Sequence, residues 1–407
     1  MTCASIASTR SPAAAKTIRL SPGAAFYLLG SITVSFLAGS LAPTPLYPIY
    51  QAAWGFSALT VTEVFGIYAL ALLGSLLVIG RLSDHVGRRP VVITAILAQV
   101  IAMLMFATAG SVNALMMARV VQGIATGAAL AAVGAAMLDL DKVRGPVANA
   151  VSPPLGTGTG GLVAGLVVYY LPAPTQLIYV ALAGVFLIQA LGVALMPETV
   201  SRRVGVVASL TPRFRLPGDA RLTMLLATPI LVAGWALAGF YASLAPGLMR
   251  VVFGRDPSLF SGFAALALAG SAAVSVWLLR NSSPRVVMGY GAFALLTGVA
   301  VVIWSLDFQS APGFFFGTSL AGTGFGAGFQ GAMRTVLPAA KAHERAGVLS
   351  VIFVISYLAM ALPAVIAGFF ISHGGQLFAT AQCFGIVVIV LAAFALLGVA
   401  IGARRRG

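Results

Sequence analysis

Charged side chains are scarce: they make up 8% of the 407 residues, against about 25% in an ordinary soluble chain. A surface that poor in charge cannot stay in water, which excludes a soluble enzyme, a disordered chain and a fibrous protein. Lysine is rarer still, and none of Lys16, Lys142 and Lys341 follows a glycine. The phosphate-binding pattern G-x-x-x-x-G-K-S/T is therefore missing, and with it a nucleotide-driven pump. Cys3 and Cys383 are the two cysteines, too few and too far apart for a disulfide framework or a thiolate metal site. His85, His343 and His373 fall in loops without ligand spacing, so neither a metal nor a cofactor is expected. No nucleophile with its base, and no cluster of histidine and acid, lies at membrane depth, so no catalytic residue is expected.

Long apolar runs are what the chain does have. Stretches near twenty residues recur from Gly23 to Ile401, and each can cross roughly 30 Å of hydrocarbon at 1.5 Å per residue. Turn residues divide them into twelve predicted spans, near 22–43, 57–80, 90–109, 112–138, 147–171, 176–196, 223–246, 258–280, 286–305, 312–337, 346–372 and 378–402. The fold class is an all-α polytopic membrane protein. A tail (1–21), a first six-helix bundle (22–196), a linker (197–222), a second bundle (223–402) and a short tail (403–407) are expected.

The net charge of +15 would suggest nucleic acid in a soluble chain, but its placement excludes that partner. Basic residues fall in alternate connections: Arg10, Lys16 and Arg19 before the first span, Arg81, Arg88 and Arg89 after the second, Lys142 and Arg144 after the fourth. Arg202, Arg203, Arg213, Arg215 and Arg221 follow in the linker, then Arg280 and Arg285, Lys341 and Arg345, and Arg404 to Arg406. The other connections hold Arg250 and Arg255 alone. Such a bias predicts both termini in the cytoplasm of a multi-pass protein of the cell (inner or plasma) membrane.

An internal repeat supports the division into halves. Ser40-Leu41-Ala42-Pro43 returns as Ser243-Leu244-Ala245-Pro246, an offset of 203 residues. At that offset Ala164 and Gly165 meet Ala367 and Gly368, and Gly123 meets Gly326. Six spans per half set the two halves the same way up in the bilayer.

The loop after the second span reads Gly80-Arg81-Leu82-Ser83-Asp84-His85-Val86-Gly87-Arg88-Arg89-Pro90. It resembles the cytoplasmic signature of the major facilitator superfamily, matching at Gly80, Leu82, Asp84, Gly87, Arg88 and Arg89. Span four carries Leu115, Arg119, Gln122 and Gly123 in the order of that family's fourth-helix motif. Gly156, Gly158, Gly160 and Gly161 resemble the tail of the fifth-helix motif of its drug:proton antiporter branch, with Thr157 where that motif has proline. Asp139 with Arg144 and Gly145, and Pro197-Glu198-Thr199, also resemble family positions. The bland alternatives are a solvated basic loop for the first motif and close helix packing at Gly156, Gly160 and Gly161 for the last.

The resemblance implies two pseudo-symmetric bundles around a central cavity lined by spans one, four, seven and ten. The cavity residues on those spans are then Ser40, Arg119, Gln122, Trp235, Tyr241, Thr323 and Gln330. It implies a conformational latch at Gly80, Leu82, Asp84, Gly87, Arg88, Arg89, Asp139 and Arg144, with Asp84 reaching the start of span eleven. Ion coupling needs an acid in the membrane, and Glu63 is the only one well inside a span. Glu63 and Arg119 lie at nearly equal depth and are expected to pair, because pairing lowers the cost of both charges. The function expected is proton-coupled efflux of small amphipathic compounds by a monomer without an ATPase subunit. The alternative is proton-coupled uptake of a small metabolite.

Overall fold

The computed structural model of the protein describes residues 20–404 apart from 202, 213, 215, 255 and 342, with side chains described as far as 401. The expected tails therefore lie largely outside the described residues, with Cys3, Arg10, Lys16, Arg19, Arg202, Arg213, Arg215, Arg255, Arg405 and Arg406. Among the described residues eleven helices are long and apolar enough to cross a bilayer. The first six are Pro22–Trp54, Ala58–Ile79, Arg88–Ala107, Val112–Leu140, Gly145–Tyr170 and Pro174–Ala194. Gly218–Phe253, Pro257–Asn281, Pro284–Asp307, Arg345–Ser372 and Leu377–Ile401 follow in the second half. Ala311–Val336 is as long, but its seven glycines dilute its apolar character. With it the spans number twelve, and they are numbered below in chain order.

Two spans, the first and the seventh, depart most from expectation. The first helix stops at Leu41, passes through a tight turn at Thr44–Leu46 and resumes as Tyr47–Trp54, where the sequence predicts one span ending at 43. Proline explains both halves of that result. Pro43 and Pro45 have no N–H to give the preceding turn, while Pro48 falls in the first turn of the resumed helix, where its missing N–H costs nothing. Span seven begins at Gly218 and runs 36 residues, so it takes in the end of the expected linker. That linker also holds a short helix, Val206–Ser209, and is tied to the loop after span two by a bond from Arg203 N to the His85 carbonyl, 2.9 Å.

Each bundle has its own buried cluster of apolar side chains, and a third, smaller cluster lies between them. Large apolar residues such as Ile188 and Leu191 are exposed along the helices. Helices gain nothing by hiding them from lipid, so the bundles must be held by close packing and hydrogen bonds instead.

Glycine supplies that packing, and it does so with the symmetry of the repeat. A methyl on Gly123 of span four would stand 2.6 Å from the Tyr68 carbonyl of span two. One on its repeat partner Gly326, in span ten, would stand 2.5 Å from the Ala272 carbonyl of span eight. Likewise Gly165 of span five presses on Ser258 and Gly262 of span eight, and Gly368 of span eleven presses on Thr62 and Ala58 of span two. These last two contacts join the bundles to each other. Span five is wedged between both: Gly156 and Gly160 meet Val34 and Ala38 of span one, while Gly158 and Gly161 face span eight.

Three hydrogen bonds cross between the bundles at the end that carries Asp256. Thr44 Oγ1 donates to the Ala242 carbonyl at 2.7 Å. Ser258 Oγ donates to the Pro45 carbonyl at 2.8 Å, and Leu59 N donates to Ser372 Oγ at 2.9 Å. The segments repeated in sequence, Ser40–Pro43 and Ser243–Pro246, thus flank a closed seam.

Gly160→Leu should abolish folded yield or lower the melting temperature sharply in detergent, because a methyl there already lies 2.2 Å from the Ala38 Cα and overpacking costs about 1–3 kcal/mol or more. Gly74→Ala, at an exposed position with nothing within 4 Å, should be neutral or slightly stabilising in the same melt. Equal loss in both variants would show that close helix approach does not hold the bundle.

Candidate functional site

Two polar assemblies stand out, one at the Asp84 end of the first bundle and one buried in its interior. The first begins with backbone geometry. Gly87 has φ +110° and forms the N-cap of span three. A methyl at Gly87 would fall 2.7 Å from Glu198 Oε2, so both the conformation and the space require glycine. Glu198 occupies the start of the helix: its Oε1 accepts from Arg88 N at 2.8 Å and its Oε2 from Arg89 N at 3.1 Å. A carboxylate is favourable where unpaired N–H groups and the helix dipole converge. It also accepts from Thr199 N at 3.0 Å, which closes its own loop.

Arg88 is the hub of this end. Its buried guanidinium bonds to Asp139 Oδ2 at 3.0 Å, Ser83 Oγ at 2.7 Å and the Asp84 carboxylate. Thr199 Oγ1 also donates to Asp139, at 3.1 Å. Arg89 donates to the Ala194 carbonyl at the end of span six. Leu82 packs against the bundle core, and a methyl added at Gly80 would clash with the Leu76 carbonyl and reach the Ala131 side chain at 3.8 Å.

Two expected members are placed elsewhere. Arg144 is exposed and reaches Asp141 at 3.7 Å within its own turn, so it does not join the cluster around Arg88. Asp84 spends its bond on Arg88 of the first bundle, and among the described residues it makes no bridge to the start of span eleven. Glu198, by contrast, anchors the start of span three, a role that residue-type reasoning undervalued. Its signal was the Pro197-Glu198-Thr199 run after span six.

The second assembly follows from the break in span one. Helix 22–41 gives way to a tight turn, and Pro43 has no N–H to give the Gly39 carbonyl, so the last carbonyls lack intrahelical donors. Span four fills the gap. Gln122 Nε2 donates to the Gly39 carbonyl at 2.8 Å and Arg119 Nη1 to the Ser40 carbonyl at 2.7 Å. Arg119 also donates to Gln122 Oε1 at 2.8 Å and, through Nη2, to the Tyr47 hydroxyl at 2.6 Å. The rings of Tyr47, Tyr68 and Phe106 stand 5.9, 5.3 and 5.7 Å from its guanidinium carbon. Arg119 is 0% exposed. Tyr47, Tyr68 and Phe106 were not among the expected site residues.

Glu63 is exposed and takes no part in this network, so the expected pair with Arg119 does not form. The two lie at similar depth but on different faces: Thr62 and Val64 are buried beside Glu63, while Glu63 itself looks out of the bundle. The cavity residues expected on the second bundle are also redistributed. Tyr241 bonds to Thr318 Oγ1 at 2.7 Å and stacks on Phe314, inside that bundle. The hollow beside it, about 20 Å³, holds no more than a water. Thr323 accepts from Tyr290 of span nine at 3.0 Å, and Gln330 ties span ten to the Val276 carbonyl of span eight at 3.1 Å. Trp235 alone of these lies at the face between the bundles, with Phe325, Phe329 and Tyr357 at 5.8, 5.5 and 5.1 Å. Phe65, Tyr68 and Leu72 of span two complete that face, and Trp235 Nε1 is buried without a partner.

Two repeated bundles that meet at a sealed seam on one end and at an aromatic face within define a helical membrane transporter. Residues 27–364 match the family model described as Major Facilitator Superfamily, and the chain belongs to that family. It is 27% identical over 238 residues to the multidrug resistance protein MdtL of Klebsiella pneumoniae (strain 342). That match covers 54% of this chain and 57% of the relative, so the two are alike over little more than half their lengths. The fold is shared with the human organic anion transporter MFSD10 (TETRAN), at a TM-score of 0.65 and 16% identity over 93% of this chain and all of that one. It is shared too with a bacterial homolog of the human lysosomal transporter Spinster in an inward-facing, unoccupied conformation. There the TM-score is 0.71 and the identity 14%, over 93% of this chain and 97% of the other.

Asp139→Asn removes the charge from a bond to a buried guanidinium, so it should cost about 1.5–3 kcal/mol and lower both thermal stability and transport. Arg144→Ala should leave both within error, since that residue is exposed and bonded only in its own turn. Bonds from the backbone of Arg144 and Val143 hold the Asp141 carboxyl below its usual range. Its contribution is therefore present above the ordinary carboxylate range and lost as pH falls through the lowered value. A pH titration of the loop by hydrogen exchange should show the Val143 and Arg144 amides keeping their protection through the ordinary carboxylate range and losing it only at lower pH.

Proposed function

We propose that this transporter exports small amphipathic organic compounds by alternating access, driven by the proton gradient. The observation that carries this reading is the face between the bundles, where Trp235, Phe325, Phe329 and Tyr357 oppose Phe65 and Tyr68. A ligand there meets aromatic walls and few polar groups, which suits a flat, largely apolar compound and not a sugar. The partial likeness to a multidrug resistance protein agrees in direction and substrate class. Drive by an ion gradient follows from the missing phosphate-binding loop, and Glu63, the acid placed within a span, is the residue to test for the proton.

Everted vesicles with and without a proton gradient should accumulate hydrophobic aromatic compounds in a gradient-dependent way, and Trp235→Ala should weaken that accumulation by about tenfold, as expected for a lost aromatic contact of about 1.4 kcal/mol. Accumulation in right-side-out vesicles instead would favour the uptake reading. Undiminished coupling in Glu63→Gln would remove Glu63 from the mechanism. In a background of Cys3→Ser and Cys383→Ser, oxidation of a Leu59→Cys and Ser372→Cys pair should lock the seam and stop transport, with reduction restoring it. Full transport by the oxidised pair would show that the seam need not open.

A further inference from the structure

We propose that the buried cluster of N–H donors around Arg119 is a binding site for a single negative charge presented during the transport cycle. The inference rests on the export reading and names the chemistry of its substrate. A guanidinium keeps its proton in any protein environment, so a permanent cation sits about seven residues, roughly 10 Å, inside span four. Its three named bonds go to a carbonyl, an amide oxygen and a hydroxyl, none of them charged.

No acid of the chain balances it. All nine are described: Glu63 is exposed, and Asp84, Asp139, Asp141, Glu198, Asp219, Asp256, Asp307 and Glu344 lie in loops or within two residues of helix ends. The C-terminus of helix 22–41 supplies roughly half a negative charge, and three rings add cation–π attraction. A deficit of about half a charge remains around a fully buried guanidinium.

The donors also exceed the acceptors. Arg119 Nε is buried and unpartnered, and the three bonds use three of five guanidinium N–H groups. Gln99 of span three is 0% exposed, and both atoms of its amide lack partners. The Gln99 and Gln122 amide nitrogens converge over Gly39, where an added methyl would meet them at 3.3 and 3.9 Å. A cradle of spare N–H donors beside an uncompensated cation fits a carboxylate or a halide. Tyr68 connects it to the aromatic face, since its ring lies against Arg119 on one side and belongs to the cluster between the bundles on the other. A compound seated at Trp235 could therefore place its apolar body on that face and its anionic head toward Arg119 once Tyr68 turns aside.

The test uses the full chain in nanodiscs and three probes of nearly one shape: naphthoate, naphthamide and naphthylmethylammonium, with chloride as the inorganic arm. Naphthoate should bind at least about tenfold tighter than either analogue, the weight of one charge-assisted bond. Arg119→Gln should erase that preference, and Arg119→Lys, which keeps the charge but not Nε, should lose most of it. If naphthoate shows the preference the anion is the substrate's own; if chloride alone stabilises the protein, and only with Arg119 present, the anion is inorganic. Should the Arg119 variants fail to fold, Gln99→Met must weaken naphthoate by a few fold without touching naphthamide. Equal binding of the three naphthalene probes together with no effect of chloride, or anion binding unchanged in Arg119→Gln, overturns the site. Vesicle export separates the two readings: export of neutral or cationic compounds without an anion preference leaves the export reading standing and removes the anion site. Binding of naphthoate without export of any probe does the reverse.

Discussion

Backbone touching backbone is the constraint on which the rest depends. A lipid-facing helix gains nothing by burying leucine against leucine, so association must come from dispersion at short range and from hydrogen bonds. Spans nine and ten show the extreme: methyls on Gly291, Gly298 and Gly324 would each lie 2.3 Å from a backbone nitrogen of the other helix. The same device fixes span five against span one and closes the seam through Gly165 and Gly368. Where it brings helices together, polar groups on their backbones and side chains come within bonding distance, and both polar assemblies are consequences of that proximity.

The assemblies solve opposite electrostatic problems. At the Asp84 end three carboxylates, those of Asp84, Asp139 and Glu198, surround Arg88 and Arg89 and the start of span three. Charge there is matched by charge, in a region open enough for the carboxylates to keep partial contact with solvent. In the interior of the bundle a cation is met only by dipoles and rings. One region is balanced in place, and the other is balanced only in part.

Span number, the two halves and the Asp84 loop were legible because they rest on composition, offset and close spacing. Facing was not. A membrane helix is apolar on every side, so the periodicity that tells inside from outside in a soluble helix carries almost no signal. Glu63 turned outward, and Tyr241, Thr323 and Gln330 bonded within their own bundle, for reasons that only neighbouring helices supply. Pro43, Pro45 and Pro48 read as an end to span one, since nothing local shows that the helix resumes at Tyr47 and returns a hydroxyl to Arg119. Ser40 and Gln122 meet Arg119 because Ser40 flanks that break and Gln122 stands one turn from the arginine.

The order of these parts along the chain bears on how the protein is made. An arginine at the centre of a span entering the bilayer costs about 2.5–3.5 kcal/mol at the translocon, and span four must enter with Arg119 in it. Its acceptors, the Ser40 carbonyl and the Tyr47 hydroxyl, belong to span one, which is synthesised earlier. The broken helix thus places acceptors for a later segment earlier in the chain: moving span one to the end would keep the same contacts in the fold but withhold them while span four enters.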